Sequence, residues 1–292
     1  MKMKVAVVGA TGAVGKQLLS ILAERKFPVT ELIAFASVRS VGKEIQFAGQ
    51  GVPCRVLEKG CFQGVDLAFF DASDAISKEW VPEAVRDGAW VVDNSATYRL
   101  NPESLLIVPE VNGALLDQRL KETAQATGGL ARVVSGPNCS TAQLVVALKP
   151  LHDRFGIKRV VVSSYQSASG AGAAAMDELV AQILAVIHEQ HVEPKAFAHQ
   201  IAFNCIPHIG GFKEDGYTSE EQKIIEESRK LLGLPNLRIT ATAVRVPTLS
   251  CHGEAVTVEF ERQVDVALAR DALRAHPGVI VQDEPAHAVY PM

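Results

Sequence analysis

The apolar positions of the chain alternate between two periods. Residues 4–8, Lys-Val-Ala-Val-Val, form a continuous β-branched run of the kind carried by parallel strands buried on both faces. Leu18, Leu19, Ile21 and Leu22 then recur at helical spacing. The alternation repeats, with strands predicted at 32–36, 65–70 and 89–93 and a helix at 76–86. A short β-branched run, Val133-Val134, leads through a tight turn at 135–141 into an apolar helical run at 143–148. Beyond it the character changes. A strand at 159–165 precedes a helix with Met176, Leu179, Val180, Ile183, Leu184 and Ile187 on one apolar stripe. Residues 203–217, rich in Gly, Pro and aromatics, read as an irregular loop, after which Thr218 or Ser219 caps a helix. Strands at 237–247 and 254–260, with Cys251 and His252 in strand-like chain just before the second, a helix at 266–274 and a strand at 279–281 complete the pattern. Strands alternating with helices predict an α/β chain: an N-terminal Rossmann-type doubly wound domain over 1–135 and an α+β domain over 136–292.

Composition narrows the class. The 292 residues make room for roughly two domains. With 48% hydrophobic and 21% charged residues, a large core is available and disorder is excluded. The net charge of −4, without blocks of like charge, gives no basis for nucleic acid or an acidic membrane surface. The apolar run at the N-terminus is too short for a signal sequence and no run is long enough to span a bilayer, so a soluble, cytoplasmic protein is expected. Five cysteines, an odd number without a secretion signal, argue against a disulfide framework. Cys205-x-x-His208 and the pair Cys251-His252 have poor ligand spacing, since strand neighbours point to opposite faces, and no metal is expected.

Candidate chemistry sits at the turns. Residues 9–15, Gly-Ala-Thr-Gly-Ala-Val-Gly, follow the first strand and open the first helix. Gly9 permits the turn, Gly12 lets backbone approach a pyrophosphate and Gly15 allows close helix–strand packing, while Thr11, Ala13 and Val14 lie along the same path. At the end of the second strand, where NAD-binding chains tend to carry an acid, stand Ser37, Arg39 and Ser40. Two hydroxyls and a guanidinium suit a 2′-phosphate and point to NADP; a solvated loop arginine is the plainer alternative. Asn94 and Arg99 follow a strand end, where Arg99 is either an anion receptor or half of a surface ion pair. Cys139 starts a helix, where free N–H groups and the dipole favour thiolate; a small buried core thiol is the alternative. The segment Gln166-Ser167-Ala168-Ser169-Gly170-Ala171-Gly172 lets backbone approach a ligand, or merely packs a helix start. Glu220 and Lys223 share a helix face and read equally as a solvated pair. Arg245 among apolar strand neighbours needs a partner, which a bound carboxylate could be. His252, beside a glycine, is a candidate acid/base or a structural imidazole. A thiolate beside a nicotinamide suggests aldehyde chemistry through a thioester, and the surplus cations an anionic substrate or a phosphate.

These segments together resemble the aspartate-semialdehyde dehydrogenases. The matching stretches are the glycine turn at 9–15, the 37–40 loop and Asp93-Asn94-Ser95 with Arg99. They continue with Gly136-Pro137-Asn138-Cys139-Ser140-Thr141, residues 165–172, Glu220 with Lys223, and Arg245-Val246-Pro247 through His252-Gly253. They run in the family's order over almost the whole chain. The resemblance implies NADPH-dependent reductive dephosphorylation of aspartyl phosphate to aspartate semialdehyde, in biosynthesis of lysine, threonine, methionine and diaminopimelate. Cys139, in the Asn138-Cys139 pair, would be the nucleophile and His252 the acid/base. Gln166 would orient the substrate, Arg245 would hold its α-carboxylate and Glu220 its ammonium. Asn94, Arg99 and Lys223 would bind phosphate, and the glycine turn, Ser40, Ser169 and Gly170 would line NADP. The family forms homodimers or homotetramers through the second domain. Its members continue beyond Met292, so the resemblance also implies a shortened second domain, and weak NADP binding, poor solubility or no turnover is expected if the natural protein ends there. The alternatives are a related reductase such as N-acetylglutamyl-phosphate reductase, whose motifs around the cysteine and histidine differ, and a non-catalytic assembly subunit.

Overall fold

The computed structural model describes residues 2–122 and 129–292. In chain order its elements are β1 (Met3–Val8), α1 (Ala13–Glu24), β2 (Val29–Phe35), β3 (Glu44–Phe47), β4 (Gln50–Arg55), β5 (Leu67–Phe70), α2 (Asp74–Arg86), β6 (Trp90–Asp93), β7 (Leu105–Leu106), α3 (Pro109–Asn112) and α4 (Ala114–Glu122). There follow β8 (Val133–Ser135), α5 (Cys139–Phe155), β9 (Ile157–Gln166), α6 (Ala173–Ile187), α7 (Ser219–Leu232), β10 (Arg238–Arg245), β11 (His252–Phe260) and α8 (Val266–Ala275). The chain divides into two compact units, Met1–Ile107 with Asn112–Pro137 and Val108–Val111 with Asn138–Met292.

The first unit is built on an eight-stranded sheet ordered β3-β4-β2-β1-β5-β6-β8-β7. β1 pairs in parallel with β2 on one side and β5 on the other. That reversal of strand order opens a crevice at the carboxyl ends of β1, β2 and β5. The unbroken apolar run of β1 follows from burial on both faces. Ala6 and Val8 pack with Phe35, Phe62 and Phe70, whereas Val5 and Val7 pack with Leu19 and Ala34. The β3–β4 hairpin, absent from the sequence reading, is a short, mostly polar edge pair. Its alternation is too brief for periodicity to register.

The second unit carries a three-stranded sheet in which β9 lies between β10, parallel to it, and β11, antiparallel to it. On β9, Val160, Val162, Ser164 and Gln166 are buried, and on β10 Ile239, Ala241, Ala243 and Arg245 share that face. Tyr165, on the other face, is exposed. The α7 start is fixed by a capping box. The Thr218 hydroxyl accepts the Glu221 N–H, and the Glu221 carboxylate accepts the Thr218 N–H.

Three local expectations change. Residues 279–281 form no strand; Ile280 is exposed, and no strand among the described residues pairs with it. The apolar stripe of α6 is divided: Leu179 packs against Ile201, Ala202 and Ile206, whereas Val180, Leu184 and Ile187 face solvent. β11 begins at His252, while Cys251 just before it turns with φ of +69°, so the two side chains are not strand neighbours. Among the described residues no helix is long and apolar enough to cross a membrane.

Candidate active site

The glycine turn lies in the first unit at the predicted crevice. Gly9 has φ of +87°, and a Cβ there would overlap the Asp71 carbonyl, so only glycine lets β1 turn this close to the end of β5. Gly12 is the N-cap of α1, whose first turn has no acidic residue, and Gly15 is buried inside the helix. Thr11, Gly12, Ser37 and Asp71 line a cleft with Gly9. A backbone cradle at an uncapped helix N-terminus suits a pyrophosphate, so these residues fit a dinucleotide. Ala13 and Val14 form the exposed first turn of α1, and Arg39 and Ser40 lie in a short 3₁₀ turn just past β2. Asn94 and Arg99 also belong to this unit. The Asn94 amide donates to Asp71, and the buried Arg99 guanidinium donates to the Asn94 carbonyl at 2.7 Å.

The thiol and its surroundings lie in the second unit. Three strands place three polar side chains in one row, because Arg245 is registered against Gln166 and Gln166 against His252. All three point to the buried face, and α5 starts above them. Cys139 Sγ lies 3.2 Å from His252 Nε2. On the far side of the ring the Ser167 N–H donates to Nδ1 at 3.1 Å, so the neutral imidazole carries its proton on Nε2, toward the sulfur. Arg245 donates to the Ser167 carbonyl at 2.6 Å. The Ser167 hydroxyl bridges to Ser169 at 2.9 Å. Gly170 closes over the row, where a Cβ would come within 2.8 Å of the Arg245 guanidinium. The N-cap of α5 is Asn138, whose Oδ1 accepts the N–H groups of Ser140 and Thr141. Its own amide donates to Glu220 at 2.7 Å, and Lys223 approaches the other Glu220 oxygen at 3.5 Å.

The electrostatics differ from the helix-start expectation. Burial pushes the Cys139 thiol up, and the Glu220 carboxylate acts in the same sense. The N–H groups of Ser140 and Cys139 and the Arg245 guanidinium oppose this without prevailing. The cysteine is open to solvent on one side, but most of its surroundings are protein, and that desolvation outweighs the helix terminus. Burial also draws His252 down, with Arg245 acting likewise and the Cys251 carbonyl and Glu220 opposing. The imidazole is thereby kept neutral. Burial draws Arg245 down while Glu220 and the Cys139 sulfur support its charge.

The fold thus gathers Cys139, Asn138, Gln166, Ser169, Gly170, Glu220, Lys223, Arg245 and His252 in the second unit, and the glycine turn, Ser37, Arg39, Ser40, Asn94 and Arg99 in the first. Sequence reasoning missed two acids, the buried Glu227 and the half-buried Glu254. Glu254 stands two residues after His252 and so on the same strand face. Glu227 stands seven after Glu220 and so on the same helix face. Either spacing was available as a signal.

Comparison with known proteins agrees with this division. Residues 4–119 match the semialdehyde dehydrogenase NAD-binding domain, and residues 148–292 the semialdehyde dehydrogenase dimerisation domain. The chain is 46% identical to the aspartate-semialdehyde dehydrogenase of Aquifex aeolicus over all of its own length and 84% of that protein. It is 40% identical to that of Bacillus subtilis over 99% of its length and 82% of the relative's. The crystal structure of aspartate semialdehyde dehydrogenase II from Vibrio cholerae superposes with a TM-score of 0.90 at 40% identity, covering 95% of this chain and 80% of that one. A helix that opens on a cysteine over an Arg–Gln–His row, a Rossmann-type nucleotide turn and relatives this close over this span lead to one assignment: the chain belongs to the aspartate-semialdehyde dehydrogenase family.

Proposed function

We propose that the chain interconverts aspartyl phosphate and aspartate semialdehyde, with NADP as the nicotinamide cofactor and Cys139 as the nucleophile. One observation carries this reading: Cys139 Sγ sits 3.2 Å from an imidazole whose Nε2 holds the proton. As the Cys139 thiol gives up its proton to solvent, an N–H in that position stabilises the thiolate. It then donates to the oxygen of the tetrahedral adduct on Cys139. In the reductive direction the sulfur attacks the acyl carbon, the C–O bond to phosphate breaks, and a thioester remains on Cys139. A nicotinamide, when bound, would supply the hydride to the thioester carbon. The Nε2–H of His252 hydrogen-bonds to the resulting alkoxide, whose collapse breaks the C–S bond, releases the aldehyde and returns Cys139 as the thiolate. Arg245 is suited to the substrate α-carboxylate, since it is buried and already polarised toward the site by Glu220. Gln166, between Arg245 and His252, orients the substrate, and Glu220 takes its ammonium. Lys223 binds phosphate; in the first unit Asn94 and Arg99 are suited to an anion.

Arg39 with Ser37 and Ser40, at a strand end without an acid, supports NADP over NAD. The glycine turn lines that cofactor. The exposed sheet face around Tyr165 and the apolar residues Val180, Leu184 and Ile187 of α6 support a homodimer or homotetramer built on the second unit. The domain boundary expected near residue 135 remains part of this reading. The test is phosphate-dependent reduction of NADP with aspartate semialdehyde, run beside N-acetylglutamate semialdehyde. Turnover of the first alone supports the proposal. Turnover of the second alone, or of neither, refutes it.

A further inference from the structure

Glu227 is 1% exposed and lies on α7, two turns beyond Glu220 and on the same face. Its Oε2 accepts the backbone N–H of Asn138 at 2.6 Å. Asn138 is therefore held twice from one helix: at its main chain by Glu227 and at its side-chain amide by Glu220. An N-cap residue's own N–H has no partner inside its helix and is ordinarily left to water. A carboxylate accepting this N–H holds it more strongly than a neutral acceptor would. The clamped nitrogen belongs to the residue immediately before Cys139. The Asn138 side chain then fixes the next two N–H groups of α5.

We propose that Glu227 is a positioning residue for the nucleophile: through Asn138 it fixes where α5 begins and hence where Cys139 presents its sulfur to His252. Buried this deeply, it acts through the main chain and touches no substrate. The inference rests on the reading of Cys139 as nucleophile. Misplacement of a reacting group by about 1 Å is worth on the order of a hundredfold in rate, so the clamp acts on turnover and not on binding. Cys139 itself is faced by His252 from β11, Arg245 from β10 and Glu220 from α7, so Glu227 reaches it only through Asn138.

The experiment compares the full chain with Glu227→Gln and Glu227→Asp. Steady-state rates are normalised to the fraction of Cys139 that can be alkylated, counted by mass spectrometry. Glu227→Gln is expected to lower kcat by roughly ten- to a hundredfold and to leave KM for phosphate and semialdehyde within about twofold. Glu227→Asp draws the carboxylate back from Asn138; it is expected to lose kcat in the same way, and it carries the test if the glutamine variant fails to fold. Normalised kcat within twofold of the parent in the variants that fold, or a loss confined to the alkylatable fraction, overturns the proposal. Full activity in Cys139→Ala would instead sink the nucleophile reading, so the two failures are distinguishable.

Discussion

Glu254→Gln is expected to stabilise the protein at alkaline pH and do little at acid pH. Glu254 lies on β11 on the inward face, one row behind His252 and registered against Ser164. From α5 it meets Gln143, one turn after Cys139, whose side chain hydrogen-bonds to it. Its Oε1 is buried without a hydrogen-bond donor among the described residues. Burial pushes this carboxyl from its ordinary 4.5 to about 7, and the Gln143 bond offsets only part of that. The sign follows from proton binding. Between those two values the folded chain keeps a proton that the unfolded chain releases, so the stability present below pH 4.5 is lost as pH rises through about 7. The gap, at 1.36 kcal/mol for each unit of pKa, is about 3 kcal/mol at full ionisation, of which about 2–3 kcal/mol develops between pH 5 and pH 8. Glutamine keeps the shape and an acceptor for Gln143 and cannot ionise. The melting temperature of Glu254→Gln should therefore exceed the parent's by roughly 5–10 °C more at pH 8 than at pH 5. Scanning calorimetry at the two pH values reads this directly, and an infrared band of a protonated carboxyl in the parent near neutral pH, absent in the variant, would assign it. An equal difference in melting temperature at both pH values would refute the reasoning.

Three further outcomes follow from the site and its supports. Cys139→Ala should lower phosphate-dependent turnover by on the order of 10⁴ or more while leaving cofactor binding, read by fluorescence titration, unchanged; residual turnover within tenfold would remove the thioester step. Arg39→Ala should weaken NADPH roughly ten- to a hundredfold and NADH within about twofold, and equal losses for the two would contradict a 2′-phosphate contact. Thr218→Ala removes the hydroxyl of the capping box and should cost about 1 kcal/mol, seen as a fall of about 2–4 °C in melting temperature; no change would mean that Glu221, through its bond to the Ala243 N–H at 3.0 Å, holds the α7 start alone.

The sequence by itself determined what depends on near neighbours. The apolar run of β1 announced a strand buried on both faces, and the glycine turn after it announced a helix start shaped for a phosphate. The tight turn at 135–141 announced a helix start with a thiol in its first turn, while the Asn138 cap came only with the structure. Each is a matter of periodicity, φ or capping within a few residues, so a linear reading reaches it. The short β3–β4 edge pair and the absent strand at 279–281 mark its limit, because a brief strand exists only where a neighbour offers hydrogen bonds. Tertiary structure decided the rest of the site. Arg245, Gln166 and His252 become one row through cross-strand register between segments up to 86 residues apart. The proton on Nε2 of His252 follows from the Ser167 N–H, and the hold on Asn138 comes from α7, 89 residues away in sequence. The charge state of Cys139 was likewise beyond a linear reading. The helix terminus that favours thiolate is local, whereas the desolvation and the Glu220 carboxylate that oppose it exist only once the second unit has folded around the sulfur.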